Sequence, residues 1–387
     1  MEYMTAKEAA IRWNVSDRQV QRLLSEGRVD GAKKYGAAWM IPAAADKPID
    51  PRRARKFSRE ETASYIFLTC ADLPKDHPDA ALPGLKAALR PLAAADVAFR
   101  RGDTEPAKAV WRATPDDDEL KLSAASLATA AAISSGDYAL YDEIQRFLQT
   151  ETERAQSERD RALLSLPGAL AAVSMAASGM TPEWLKNCDF SGFAPELRPF
   201  LLYLYALHLR NTGAYAELLG ITKAALTLIQ KPATFTWLDV YLFALCAAAS
   251  NALNDADQAK RYLNAALAIG LPSGFIAPFA DNLGEFGGML EAAVERDYPK
   301  YRKAVIYLWD TSFKNWMRFH NAFAKDNITT VLSAQEYQTA RLIARGETYA
   351  ETARRMNLSV SRVKHILADV YSKLFIQSKQ ELSAFIL

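Results

Sequence analysis

Apolar residues fall at i, i+3 and i+4 in two short, otherwise polar stretches of this chain: Val20, Leu23 and Leu24 near its start, and Val363, Ile366 and Leu367 near its end. That spacing predicts a helix with one buried stripe in each place. Set against each other without a gap, residues 5–24 (TAKEAAIRWNVSDRQVQRLL) and 348–367 (TYAETARRMNLSVSRVKHIL) are identical at eight of twenty positions. Thr5 with Glu8, and Thr348 with Glu351, have the spacing of capping boxes, which open a helix by satisfying its free N–H groups. Ala10 and Ala353 put a small side chain where two helices approach. Asn14 and Asn357 stand where the first helix should stop, because Asn tolerates the left-handed backbone of a sharp turn. Ser16 and Ser359 then cap a second helix. Each copy therefore predicts two helices joined by a tight turn.

The buried stripe determines what the second helix turns outward. In the first copy these residues are Arg18, Gln19 and Arg22, with Gln21 beside them. In the second they are Ser361, Arg362, Lys364 and His365, with Ala368 one turn further on, while Thr348 opens the helix before. Side chains of this kind bond guanine or adenine edges and phosphates when a recognition helix lies in a major groove. A solvated helical hairpin explains one such copy equally well. Two copies at two basic ends favour DNA.

The segments behind the two copies differ. After Gly27, RVDGAKKYGAAWMIP alternates polar and apolar residues around Gly36 and predicts a small β-hairpin, placed as a wing behind the second helix. Over about the first 50 residues the chain resembles the winged helix-turn-helix of the MerR and excisionase-like families. That resemblance implies phosphate contacts at Lys33 and Lys34, although Ala37 and Ala38 follow Gly36 where such proteins often carry Arg. Residues 332–387 resemble the LuxR-type DNA-binding domain over its whole length. Ser333 and Glu336 would cap its first helix and LIARG at 342–346 close it. VK at 363–364 falls in the recognition helix, VYSKL at 370–374 continues that helix, and Ser378 with Glu381 opens a fourth. In this family the last helix commonly dimerises, so the resemblance implies double-stranded DNA as partner and a homodimer. Arg362 stands where Thr is usual before VK, and Phe375 where Gly is usual after KL.

Between residues 61 and 326 the pattern is Ala- and Leu-rich and helical throughout. Small-residue turns begin at Gly102, Gly136, Gly179, Gly213 and Asn254, spaced 34, 43, 34 and 41 residues apart. This approaches the roughly 34-residue period of tetratricopeptide helix pairs. AIGLPSGFIAPFADNLGEFGGMLEAA, at 268–293, is similar to the end of the helical repeat region in MalT-like LuxR regulators. Those proteins usually carry an ATPase domain as well, but no GxxxxGK[ST] loop occurs here and no ATP hydrolysis is expected. Tyr203, Tyr205, Trp237, Tyr241, Phe243 and Phe279 are candidates for a concave groove, with packing between repeats as the plainer role for most. Such a groove would take a peptide, protein or small-molecule effector.

Composition narrows the classes further. Half of the 387 residues are hydrophobic and 24% are charged, enough for two or three domains with real cores. The net charge of +2 is unevenly spread: residues 1–60 carry +5 and 332–387 carry +3, leaving −6 between them. Cys70, Cys188 and Cys246 lie far apart and the four histidines are scattered, so a reducing compartment, no metal and no cofactor are expected. Charges from the second residue onward argue against a signal peptide. The most apolar stretches fall short of the roughly 18 residues of a membrane span. His208 and His320 read as helical residues at the edge of a core, and Asp117 or Asp118 as the cap of the next helix. No nucleophile and base stand in a recognisable arrangement, so no enzyme is expected.

The expectation is a mainly α chain in four parts: a winged helix-turn-helix at 1–50, a basic linker at 51–60 with Arg52, Arg53, Arg55 and Lys56, a helical repeat domain at 61–326, and a four-helix LuxR-type domain at 332–387 after a polar joint at 325–331. The expected function is that of a cytoplasmic DNA-binding transcriptional regulator whose repeat domain senses a ligand or partner. The alternative is a protein-binding scaffold whose terminal units mediate dimerisation or partner contacts.

Overall fold

In the computed structural model, Thr5 and Glu8 bond reciprocally at the start of the first helix. The Glu8 N–H donates to Thr5 Oγ1 at 3.3 Å and the Thr5 N–H to Glu8 Oε2 at 2.7 Å. The structure describes residues 3–45 except 14, 26–28, 30, 37 and 44, and residues 73–386 except 75–77, 86, 119, 230–233, 325–331 and 375. The linker at 51–60, the joint at 325–331, Asn14, Ala37 and Phe375 lie outside the described residues. The described chain is mainly helical and divides into two compact units, Met1–Ser58 and Arg59–Leu387.

In the first unit, strand β1 (Tyr3–Met4) leads into helices α1 (Ala6–Arg12) and α2 (Asp17–Ser25), followed by strands β2 (Lys33–Tyr35) and β3 (Ala38–Pro42). The sheet is antiparallel in the order β1-β3-β2, with Met4 opposite Ile41 and Lys34 opposite Trp39. The hairpin turns at Gly36, whose φ of 61° suits a residue without Cβ. Strand β1 is too short to leave a period in the pattern. Met4, Trp13, Val20, Leu23, Leu24 and Ile41 are buried together as one small core. The Trp13 indole N–H and the Arg12 guanidinium donate to the carbonyls of Ala45 and Ala43, holding the chain after β3 onto α1.

The α-helices of the second unit begin with α3 (Arg90–Arg100), α4 (Glu105–Ala113), α5 (Lys121–Ser135), α6 (Tyr138–Arg154), α7 (Glu158–Leu164), α8 (Leu166–Ser174) and α9 (Glu183–Lys186). It continues with α10 (Arg198–Thr212), α11 (Tyr215–Ile229), α12 (Trp237–Ala252) and α13 (Ala256–Gly270). Four pairs of sequential helices, α3/α4, α5/α6, α10/α11 and α12/α13, turn through left-handed residues at Gly102, Gly136, Gly213 and Asn254. The turn expected at Gly179 is displaced: α8 ends at Ser174, the left-handed residue is Ala176 with φ 53°, and Ser178–Met180 forms a 3-10 turn. Helices α5 and α12 are buried on nearly every side, which is why their sequences are apolar all round rather than striped. A short ladder joins β4 (Leu73–Pro74) to β5 (Thr234–Phe235).

After α14 (Ala277–Ala280) and α15 (Met289–Asp297), helix α16 (Pro299–Ala324) runs for 26 residues, about 39 Å at 1.5 Å per residue. It crosses the C-terminal ends of α5 and α8. Asn315 Nδ2 donates to the Ser134 carbonyl, Trp316 Nε1 to that of Ser174 and His320 Nδ1 to that of Met175, each at 2.8 Å. These carbonyls belong to last turns, where a helix has no internal donor to offer. His208 is half-buried, while His320 is buried and stacks on Trp316 with ring centroids 5.0 Å apart. Asp118 accepts from the Leu120 N–H at 2.8 Å, just ahead of α5.

Four helices close the chain: α17 (Ala334–Ala344), α18 (Tyr349–Arg355), α19 (Val360–Leu374) and α20 (Lys379–Ile386). The pairs Ser333/Glu336, Thr348/Glu351 and Ser378/Glu381 all bond as helix caps. Tyr337, Ile343, Val363, Ile366, Leu367, Val370 and Leu382 form a core of their own. Phe313 and Trp316 of α16 pack against it, so these helices share a wall with the array and belong to the same unit.

Candidate nucleic-acid interface

Ser16 and Ser359 accept the N–H groups of Gln19 and Arg362 at 3.3 and 3.1 Å, and so start α2 and α19. Asn357 has φ 53°, the left-handed residue that turns α18 into α19. Helix α2 buries Val20, Leu23 and Leu24, and α19 buries Val363, Ile366, Leu367 and Val370. On α2 this leaves Arg18, Gln21 and Arg22 exposed, with Gln19 half-buried on the flank. On α19 it leaves Ser361, Arg362, Lys364, His365 and Ala368 all exposed. Thr348 is exposed as well, but its hydroxyl is committed to the cap, donating to Glu351 at 2.7 Å. The Lys364 ammonium lies 5.9 Å from the centre of the Tyr349 ring.

Lys33 and Lys34 project from the hairpin, exposed, beside Tyr35. Tyr35 is 80% accessible and was not among the expected site residues. Its signal was an aromatic side chain at a strand position with no apolar partner of any size opposite, since only Ala38 faces it across the ladder.

The net charge of residues 332–387 overstates what this end offers a polyanion. Of its eight Lys and Arg residues, six are engaged by protein groups: Lys373 by Glu336 at 2.7 Å, Lys379 by the Glu347 carbonyl at 3.3 Å, Arg354 by Asn254, and Arg341, Arg345 and Arg355 by a buried network. Arg362 and Lys364 have no ion-pair partner among the described residues. The basic face of this end is therefore these two side chains and His365.

The buried network draws on α17 and α18 rather than α19. Glu285 accepts from Arg355 at 2.8 Å and from Arg341. Arg355 also meets Glu347, donates to the Tyr215 hydroxyl at 2.6 Å and lies over the Tyr215 ring, 4.5 Å from its centre. Arg345 donates to the Tyr215 hydroxyl at 3.0 Å and to the Asn211 carbonyl. Burial alone would raise the Glu285 carboxyl, yet Arg341 and then Arg355 hold it far below the ordinary carboxylate range. Burial, with Arg341 adding to it, brings the Arg345 guanidinium down to about 10.

Around Glu285 the backbone itself makes room. A Cβ at Gly284 would overlap the Gln338 side chain, one at Gly287 the Arg355 carbonyl, and one at Gly288 would come within 2.6 Å of Asn357 Nδ2. The LGEFGG stretch at 283–288 is thus a seat for α17, α18 and the turn before α19. None of this was legible beforehand. Arg12 and Arg355 occupy the same position of the two matched copies, but Arg12 donates within its own unit while Arg355 reaches Glu285.

No group of three His, Cys, Asp or Glu side chains that could hold a metal ion occurs among the described residues. No helix among them is long and apolar enough to cross a membrane. No protein-family model matches the chain, and no curated protein or solved structure matches it either.

Proposed function

We propose that the chain is a DNA-binding transcriptional regulator of the cytoplasm, with a winged helix-turn-helix at its start, a tetratricopeptide-like sensor array, and a LuxR-type reader at its end. The observation that carries this reading is the outward face of α19, where Arg362 and Lys364 stand exposed and, among the described residues, without carboxylate partners, while the other basic side chains of that end are engaged. Protein surfaces that leave cations unpaired on the early turns of a helix suit a phosphate backbone and a major groove. Helix α2, with Arg18 and Arg22, and the hairpin, with Lys33 and Lys34, give the first unit an exposed basic face of its own. Joining two weak readers in one chain raises the effective concentration of each at the second site.

The test is selection of genomic fragments by the full chain, followed by gel shifts with Arg18→Ala and Lys364→Ala at two salt concentrations. Enrichment of a sequence motif, with weaker and less salt-dependent binding by the variants, supports the reading. Salt-independent association, or variants that bind as the parent does, sinks it in favour of a protein-binding scaffold.

A further inference from the structure

The second unit holds a cavity of about 190 Å3, partly open to solvent, between the inner helices of the array, α16 and α17. A cavity of roughly 150 Å3 accommodates a benzene ring, so this one has room for a ring and several further atoms. Its walls are of two kinds. Helix α16 presents Trp309, Phe313 and Trp316 at helical spacing, half-buried, with successive ring centroids 5.6 and 5.5 Å apart. The array presents charge.

Arg100 is internally satisfied: it pairs with Asp96 at 2.8 Å, donates to the Tyr241 hydroxyl and lies 4.0 Å from the centre of the Trp237 ring. Arg210 is different. Its guanidinium donates to the side-chain carbonyls of Asn282 and Asn211 at 2.9 and 3.4 Å, has no carboxylate within ion-pair distance among the described residues, and keeps a buried Nε–H with no acceptor there. Arg341 brings a second buried, unpartnered Nε–H to the same cavity. Asp281 is the counterpart of opposite sign. Among the described residues its carboxylate accepts only from the Tyr241 hydroxyl, at 3.2 Å, and meets no cation within ion-pair distance. The residue is exposed and lines the cavity, and desolvation by the protein packed around its carboxyl pushes that group up to about 6.

A buried donor without an acceptor, as the Arg210 Nε–H is among the described residues, favours binding of a group that satisfies it. Here a cation and an anion, close enough to feel each other, both face one cavity without pairing. The complement of that arrangement is a molecule carrying both charges.

We propose that the cavity binds a small zwitterion with an apolar body, an apolar L-amino acid, whose carboxylate meets Arg210, whose ammonium meets Asp281, and whose side chain lies on Trp309, Phe313 and Trp316. This gives the sensing half of the proposed function a ligand class, and its test involves no DNA, so either can fail without the other. Because α17 supplies Tyr337, Gln338 and Arg341 to the walls, the ligand touches both the array and the first of the four C-terminal helices.

Titration calorimetry of the full chain with L-leucine, L-phenylalanine and L-tryptophan, alongside 3-phenylpropionate and 2-phenylethylamine, tests it. At least one amino acid is expected to bind at least about tenfold more tightly than either single-charge analogue, the weight of one charge-assisted hydrogen bond. Asp281→Asn should remove the preference of phenylalanine over 3-phenylpropionate, and Arg210→Gln its preference over 2-phenylethylamine, with unchanged circular dichroism as the folding control. Absence of heat and of any thermal shift with all five probes overturns the proposal. So does 3-phenylpropionate binding as tightly as phenylalanine, or binding that neither substitution alters.

Discussion

Arg355 donates to Glu285 at 2.8 Å across 70 positions of sequence, joining the helix before the outward basic face to a loop of the array. Arg341 shares the same carboxylate, so Glu285 serves buried guanidinium groups from two helices, with Glu347 as a second acid on Arg355 alone. Replacing it leaves both cations buried. Glu285→Gln should therefore destabilise the second unit by about 3–5 kcal/mol, the usual cost of removing one partner from a buried pair. Chemical denaturation reads the loss, and hydrogen exchange should rise first in α17 and α18. A loss below about 1 kcal/mol shows the seat to be held by packing alone.

The same carboxylate sets a pH dependence. Its folded-state pKa is depressed, so its stabilising contribution is complete above the unfolded value of about 4.3 and is lost as the pH falls below that value toward the folded one. Denaturation midpoints should accordingly decline below about pH 4.3 in the parent, and decline less steeply in the Glu285→Gln chain. Parallel curves for the two proteins exclude Glu285 as the titrating group.

Two glycines separate packing from propensity. Gly287→Ala introduces a methyl group into the Arg355 carbonyl at a residue with φ 56°, and should cost more than about 2 kcal/mol. Gly220→Ala, inside α11 with nothing near its Cβ position, should instead stabilise by about 0.5–1 kcal/mol. Equal effects of the two in thermal denaturation would discard the seat as a steric device.

For DNA, each phosphate contact removed lowers the salt slope of binding by about one. Arg362→Ala and Lys364→Ala should each show that change. Lys373→Ala should not, because its ammonium is already held by Glu336. A slope that responds to Lys373 and ignores Lys364 places the interface elsewhere.

Much of this architecture was legible because it is local. Capping pairs three residues apart, Asn357 in a left-handed turn, and stripes at i, i+3 and i+4 all depend on neighbours within one or two turns. The seat was not, because Gly284, Gly287 and Gly288 owe their smallness to residues 54 to 69 positions later, and glycines in a loop otherwise read only as turns. The cavity escaped for a related reason. Of the six aromatic groove candidates, Tyr203, Trp237 and Tyr241 line it and Tyr205, Phe243 and Phe279 do not, while Arg210 and Asp281 gain meaning only from what they fail to meet. A charge count does not separate exposed from buried groups, and three of the arginines in this one face inward.

Binding of the proposed zwitterion should also titrate. Asp281 faces Tyr241 on α12, Arg100 on α3, and Tyr203 and Arg210 on α10, and desolvation holds its carboxyl at about 6. The ionised form accepts the ammonium, so affinity should rise from pH 5 to pH 7 by about tenfold, and release of a proton near pH 6 should make the calorimetric heat depend on the buffer. Affinity that is flat across this range removes Asp281 from the site.

The seat at 283–288 also bears on how the last four helices behave when cut out. Freed from the array, a fragment of residues 332–387 would turn Arg341 and Arg345 toward water with Glu285 left behind, while Arg355 kept Glu347 alone, and its surface would be more cationic than the same segment presents in the intact chain. Such a fragment is expected to hold a polyanion more tightly than the same segment does within the full chain, so on the proposed reading the array would also restrain indiscriminate attraction.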